Sequence, residues 1–562
     1  MSAAPRPFAA WLDDFFSAYY RRRPVNATFI GVHDHDDALP DYSARGVAET
    51  QAEMTALLGN LRGGAVAEAT TPAERTDHTL AEHFLTIQGW EYGSRHFQGG
   101  NPCIYTGEAI FGVLSLFLWP FAPLAERVDA AIARMEAIPA LLATAAENIP
   151  SAPAAWTERA IRECTGATHF LGNGVDMLIA DAGITDPHFR SAATDARRAF
   201  ATYQAFLTSE IRATTDNAYG CGGEAFERYM ALGHALMMTG TEIERFARDQ
   251  FAEARARLDE GAAAFGVPDW QTALALLARI HPTAESYYAR YQKQWDACHA
   301  HAAAHDLVSW PEDPIRYIPR PRWAREAAPF LYFLPYRAPS PYDRRAVHDY
   351  LVEPIEPGMP VADQERRLEA TNDSVIKMNH VIHHGAIGHH VQNWYASHAA
   401  SRIGQVAAVD CASRIALFCG GTMAEGWSSY VVDLMGEVGF LTPLEAYAQH
   451  YARMRAAARA IVDANLHHGH FSFDQAVAFY RDDTGMTQDA AHAETVKNTM
   501  FPGAAMIYLI GQEMIRDLRN EMAARDGSAF NLHRFHDRFL SYGSIPVSLI
   551  AAAMRAQHES PS

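Results

Sequence analysis

Apolar positions recur every three or four residues over long stretches of this chain, with polar residues filling the faces between them. That spacing predicts amphipathic helices over 8–23, 124–148, 189–213, 224–265 and 272–305. Breaks fall at Pro150 and Pro153, at Asp216 and Asn217 with Gly220, Gly222 and Gly223, and at Gly266-Val267-Pro268. Alanine-rich runs such as AAIARMEAIPALLATAAENI add intrinsic helix preference. The pattern lapses between Trp310 and Pro360, where eleven of the 29 prolines lie. Proline fixes φ and has no N–H to donate, so an extended stretch is expected there, with FLYFLPY and HDYLVEP as its strands. Helical spacing resumes at Val361. The expected fold is mainly α: a large helical body with a cleft and one small β element. Its parts would be an N-terminal helical half (1–309), a proline-rich crossover (310–360) and a C-terminal helical half (361–562) that carries the chemistry.

Composition narrows the function more than the fold. Hydrophobic residues make up 49% of the 562 positions and charged residues 20%, enough apolar surface for a large core. The formal charge of −19 argues against nucleic acid or an anionic membrane as partner, because both reward basic surfaces. The first residues, MSAAPRPFAAWLDDFF, reach acidic side chains before any long apolar run, unlike a signal peptide. No apolar run is long enough to span a bilayer. The six cysteines are scattered without a C-x-x-C pair and are expected to be free buried thiols, which points to a reducing, cytoplasmic setting.

The densest chemistry is HVIHHGAIGHHVQ, His380 to Gln392, with five histidines in thirteen residues. Neutral imidazole is the commonest protein ligand for transition metals. Glu425, in MAEGWSSY, follows 42 residues after His383 and supplies a carboxylate from another helix. His383 and His389 are six residues apart, about 240° net around an unbroken helix, and would diverge. His383 and His390 share a face but sit roughly 10 Å apart along the axis. Gly385 and Gly388 would permit a widened turn or break that lets His383 and His389 converge. A competing pair, His380 and His384, is four apart and needs no distortion. Histidines packed without an ion are the remaining alternative.

Several blocks in one order carry a family resemblance over nearly the whole chain. PVNATFIGVHDHDDALPDYS opens the series, followed by FAPLAERVDAAIARMEAIPALL and WTERAI. The histidine segment, AEGWSSY, RAIVDANLH, FPGAAMIYLIG and FHDRFLSYGSIP complete it. Together they resemble the bacterial family labelled domain of unknown function 885, whose members are similar to zinc metallopeptidases of the gluzincin kind. The resemblance implies a zincin-like catalytic half, one zinc ion held by His383, His389 and Glu425, and a peptide as substrate. Tyr508, after FPG, would then donate to an oxyanion.

This chain departs from the family pattern H-E-A-x-P-G-H-H-x-Q where the chemistry lies. His384 stands at the position of the general-base glutamate and Ile387 at that of the proline. Ser429 and Val432 fall in a block that otherwise carries a further carboxylate, Ala504 replaces a glutamine, and Lys497 stands for an arginine. His384 would act as base, or as an extra ligand that closes the position water needs. Two readings follow: a zinc-dependent hydrolase using His384, or a silent relative that binds a peptide or small ligand with or without metal. Asp433 is expected either to accept from a ligand imidazole or to be a solvated charge, and His467, His468 and His470 to line the cleft or to back the ligands. Glu494 is a weaker candidate. Ser374-x-x-Lys377 and Gly172-Asn173-Gly174 are discounted as motifs, and His33 and His35 are expected in a surface turn.

Overall fold

Helices begin where short polar side chains can cap them. Thr71, Thr239, Thr442 and Ser472 each accept from the backbone N–H three residues on. Glu74, Glu242, Glu445 and Gln475 close the box by accepting from the cap's own N–H. The computed structural model describes residues 5–214, 216–331, 334–356, 358–412 and 416–559. Helix accounts for 68% and strand for 3%, so the fold is mainly α.

The periodic segments become Phe8–Arg22, Leu124–Asn148 and Pro187–Ser209. Two longer expected helices are broken. The 224–265 stretch divides into Gly223–Arg228, a π-turn at Tyr229–Gly233, and Gly240–Gly261. Phe418 packs where a Cβ on Gly233 would stand, 2.9 Å away, so a distant side chain occupies the break. The 272–305 stretch divides into Trp270–Ala278 and Tyr287–Ala304, with Pro282 between them unable to donate to a ladder.

Three helix pairs frame the body: Pro443–His467 along Gly240–Gly261, Gly421–Glu437 along Ile507–Asp526, and Leu124–Asn148 along Pro187–Ser209. At the second crossing Gly426 meets Gly511 so closely that a Cβ on Gly426 would lie 2.5 Å from the Gly511 backbone. One apolar cluster takes in Trp11, Trp156, Tyr291, Ile382, Trp427 and Phe539, joining side chains from both sides of the crossover. Polar ties reinforce it. Tyr19 donates to the Ala416 carbonyl at 2.7 Å, and buried Asp77 accepts from the backbone N–H groups of Arg402 and Ile403.

In the crossover, Ile315–Pro319 pairs in parallel with His348–Val352, Tyr317 opposite Tyr350. The HDYLVEP strand forms as expected. FLYFLPY does not form one at its described residues (330, 331 and 334–336), and Tyr332 and Phe333 lie outside the described residues. Its run is apolar throughout, whereas IRYIP alternates, burying Ile315 and Tyr317 and exposing Arg316, as a half-buried strand requires. Among the described residues no helix is long and apolar enough to cross a membrane. Among the described residues none of the six cysteines is in a disulfide, and five of them are buried.

Candidate metal centre

The histidine segment is not a regular α-helix. Asn372 caps a short turn at Asp373–Val375, and the chain then widens into a π-helix, Ile376–Gly385. Ala386 and Gly388 leave helical space (ψ −120° at both), and an α-helix restarts at His389–Ser397. Gly388 is required there, because a Cβ would collide with the His383 carbonyl. The freed carbonyls do not stay bare: Trp295 donates to Gly385 at 2.7 Å and Trp427 to Ile387 at 2.9 Å. Lys377 and Ser374 both bond buried Glu445, at 2.8 and 3.1 Å, and so fix this segment to the start of Pro443–His467. The S-x-x-K pair is therefore structural.

The widened turn brings His383 and His389 together. Their rings stand 4.9 Å apart at right angles, and Glu425 from helix Gly421–Glu437 sits between them. Its Oε2 is 3.5 Å from Nε2 of His383 and 3.5 Å from Nε2 of His389. That oxygen is buried and has no hydrogen-bond partner. His384 joins the group: one ring nitrogen from each of His383, His384 and His389 falls within 4.8 Å of the others. Tetrahedral zinc with bonds of about 2.1 Å separates its donors by about 3.4 Å. The spacings around Glu425 fit such an ion.

The outward nitrogens are held in the tautomer a metal needs. His384 donates from Nδ1–H to the Asn379 carbonyl at 2.8 Å, and His389 from Nδ1–H to Gln392 Oε1 at 3.3 Å. Gln392 is held in turn by Ser544 at 2.6 Å. Both Nε2 lone pairs are thereby free to face inward. Burial disfavours charge on all three rings, and at His383 and His384 it prevails, pulling the pKa down. At His389 the Glu425 carboxylate outweighs burial and raises the pKa. Burial pushes Glu425 upward, but the imidazoles, His389 foremost, hold it well below the usual carboxylate range.

Other expected participants are placed elsewhere. His380 turns toward the strands, where the Tyr350 hydroxyl hydrogen-bonds its Nδ1, so the His380–His384 pair does not form a site. His390 donates to the Asp313 carbonyl at 2.8 Å, away from the cluster. Asp433 holds no imidazole; it accepts from Gln512 at 2.8 Å and Arg516 at 2.6 Å. His467 is fully buried and bonds the Asn498 carbonyl, while His468 pairs with Glu227, so neither belongs to the site.

A cavity of about 790 Å³ opens over the cluster. Tyr508 lines it, under the Arg459 guanidinium, which lies 4.9 Å from the ring centroid. Glu494 is the ion-pair partner of Arg459. Asp463 accepts from the backbone N–H groups of Gly503, Ala505 and Met506 and so sets the loop that delivers Tyr508. Asp410, Arg453, Arg455 and Arg459 also line it, and nothing in the sequence marks them, since they are isolated charges in ordinary contexts.

The model of the family described as Bacterial protein of unknown function (DUF885) matches residues 24–554. No curated protein matches the chain. Two solved structures are similar over 98% of this chain and 99% of theirs. One, described as a lipoprotein of unknown function from Shewanella oneidensis, is 23% identical with a TM-score of 0.77. The other, described as a lipoprotein from Colwellia psychrerythraea, is 16% identical with a TM-score of 0.74. At these identities the likeness concerns the fold alone.

Proposed function

The chain belongs to the bacterial family of unknown function DUF885, and we propose that this member is a zinc-dependent hydrolase acting on peptides. One observation carries the reading. A buried carboxylate oxygen of Glu425, with no hydrogen-bond partner, stands 3.5 Å from two imidazole nitrogens, a spacing that a shared cation would satisfy. His383, His389 and Glu425 would hold the ion. Bound there, zinc would polarise a scissile carbonyl and lower the pKa of an attacking water to about 7. His384, kept neutral by burial and the neighbouring rings, offers Nε2 to that water's proton in place of the family's glutamate. Tyr508 offers its hydroxyl to the developing oxyanion. Asn379, Asn393, Gln449 and Gln512 also line the cavity and suit a peptide backbone.

A second reading is favoured by the same packing. With three imidazole nitrogens within 4.8 Å of one another, His384 would serve as a fourth ligand, exclude water and leave a silent, peptide-binding protein. Metal analysis of purified and zinc-reloaded protein tests both. One zinc per chain is expected, and none would end the metal reading. Wild type, His384→Ala and His384→Glu are then compared on a mixed peptide library. Activity in wild type lost in His384→Ala supports the imidazole base; activity confined to His384→Glu supports the silent protein.

A further inference from the structure

Three arginines of helix Pro443–His467 line the cavity, and two of them are already engaged. Arg453 pairs with Glu513 at 2.9 Å and Arg459 with Glu494. Arg455 makes no hydrogen bond or ion pair among the described residues. Its guanidinium lies over the Tyr451 ring, 6.0 Å from the centroid, and its charge is also felt at Glu494. It is half-buried, so it has lost part of its hydration without gaining a carboxylate.

We propose that Arg455 anchors the free C-terminal carboxylate of a short peptide, making the cavity selective for chain ends. The planar fork of a guanidinium matches a carboxylate bidentately, and partial burial strengthens the pair. Tyr451 belongs to an apolar cluster with Trp270 and Leu274, and Leu274, Leu277 and Ala278 line the same cavity. An apolar last side chain therefore fits beside the anchored carboxylate. Arg459, whose charge reaches His383, is one turn further along the helix, about 6 Å.

The inference rests on the peptide reading above but not on the metal, and binding separates the two. Calorimetry with N-acetyl-Ala-Ala-Leu and its C-terminal amide is run on metal-free and zinc-loaded protein, wild type, Arg455→Ala and Arg455→Lys. The free acid is expected to bind wild type about tenfold or more tighter than the amide. The preference should vanish in Arg455→Ala and survive in part in Arg455→Lys. An unchanged thermal midpoint in Arg455→Ala would show that its fold is intact. Equal binding of acid and amide, an acid preference that persists in Arg455→Ala, or no binding of either would overturn the proposal. Acid-selective binding by a protein that takes up no zinc would keep the anchor and end the metallohydrolase reading. Zinc uptake without acid selectivity would do the reverse.

Discussion

Two segments of this chain are dense in histidine and acid, and the protein uses them in opposite ways. In the first, VHDHDD, both ring nitrogens of His33 are spent: Nδ1 meets Asp36 Oδ2 and Nε2 meets Asp343 Oδ1, each at 2.8 Å. The ring stacks on Phe121 at 3.9 Å, and Asp343 also accepts from Trp119 at 2.6 Å. This histidine is a latch between two distant parts of the chain. In the second segment, His384 and His389 each spend one nitrogen on an outer partner; the other nitrogen of His389 faces an unsatisfied carboxylate oxygen, and a His384 nitrogen lies beside the neighbouring rings. Counting histidines does not separate the two cases. What separates them is whether a lone pair is left over after the neighbours have taken theirs.

Breaking the backbone of the second segment should have the largest effect. Gly388→Ala drives a Cβ into the rigid His383 carbonyl and is expected to cost about 3 kcal/mol, read as a lowered unfolding midpoint, with loss of zinc uptake. His389→Ala leaves the backbone alone and should weaken zinc binding by about a hundredfold or more, measured by competition with a chelator. His33→Gln should leave zinc stoichiometry untouched and destabilise the fold by about 2 kcal/mol near pH 6.

That last loss is pH-dependent with a definite sign. Burial lowers the His33 pKa, but Asp343 and Asp36 outweigh it and lift the value to about 9. A folded-state pKa above the unfolded value of about 6.5 means the stabilisation is complete below pH 6.5 and fades as pH rises through 9. Denaturation curves of wild type and His33→Gln should therefore converge at alkaline pH. A constant gap would show that the latch does not depend on charge. The smallest effect on zinc is expected from Gln392→Ala, which removes the acceptor orienting His389 and should weaken zinc about tenfold, or about 1.4 kcal/mol.

Much of the helical body was legible from spacing alone. Leu124–Asn148 and Phe8–Arg22 match their predicted ends to within a residue, since an amphipathic stripe bounded by proline or polar caps reads the same in sequence and in space. The need for a distortion near Gly385 and Gly388 was also legible, because six residues cannot bring two side chains to one face of a regular helix. The strand at Ile315–Pro319 was missed in favour of a more hydrophobic run. The sequence does not reveal the partner of Asp433, because Arg516 sits on a different helix, and Arg455 is invisible because a lone cation has no local signature.

The sequence by itself determined the mainly helical fold, the positions of the donors and the glycines that let the chain bend between them. Those properties depend on periodicity and on backbone freedom, which are local. Only the tertiary structure decided which histidines keep a lone pair, that Trp295 and Trp427 cover the carbonyls of the break, and that Glu425 arrives between His383 and His389. Each of those outcomes depends on groups distant in sequence competing for the same hydrogen bonds, and packing alone settles that competition.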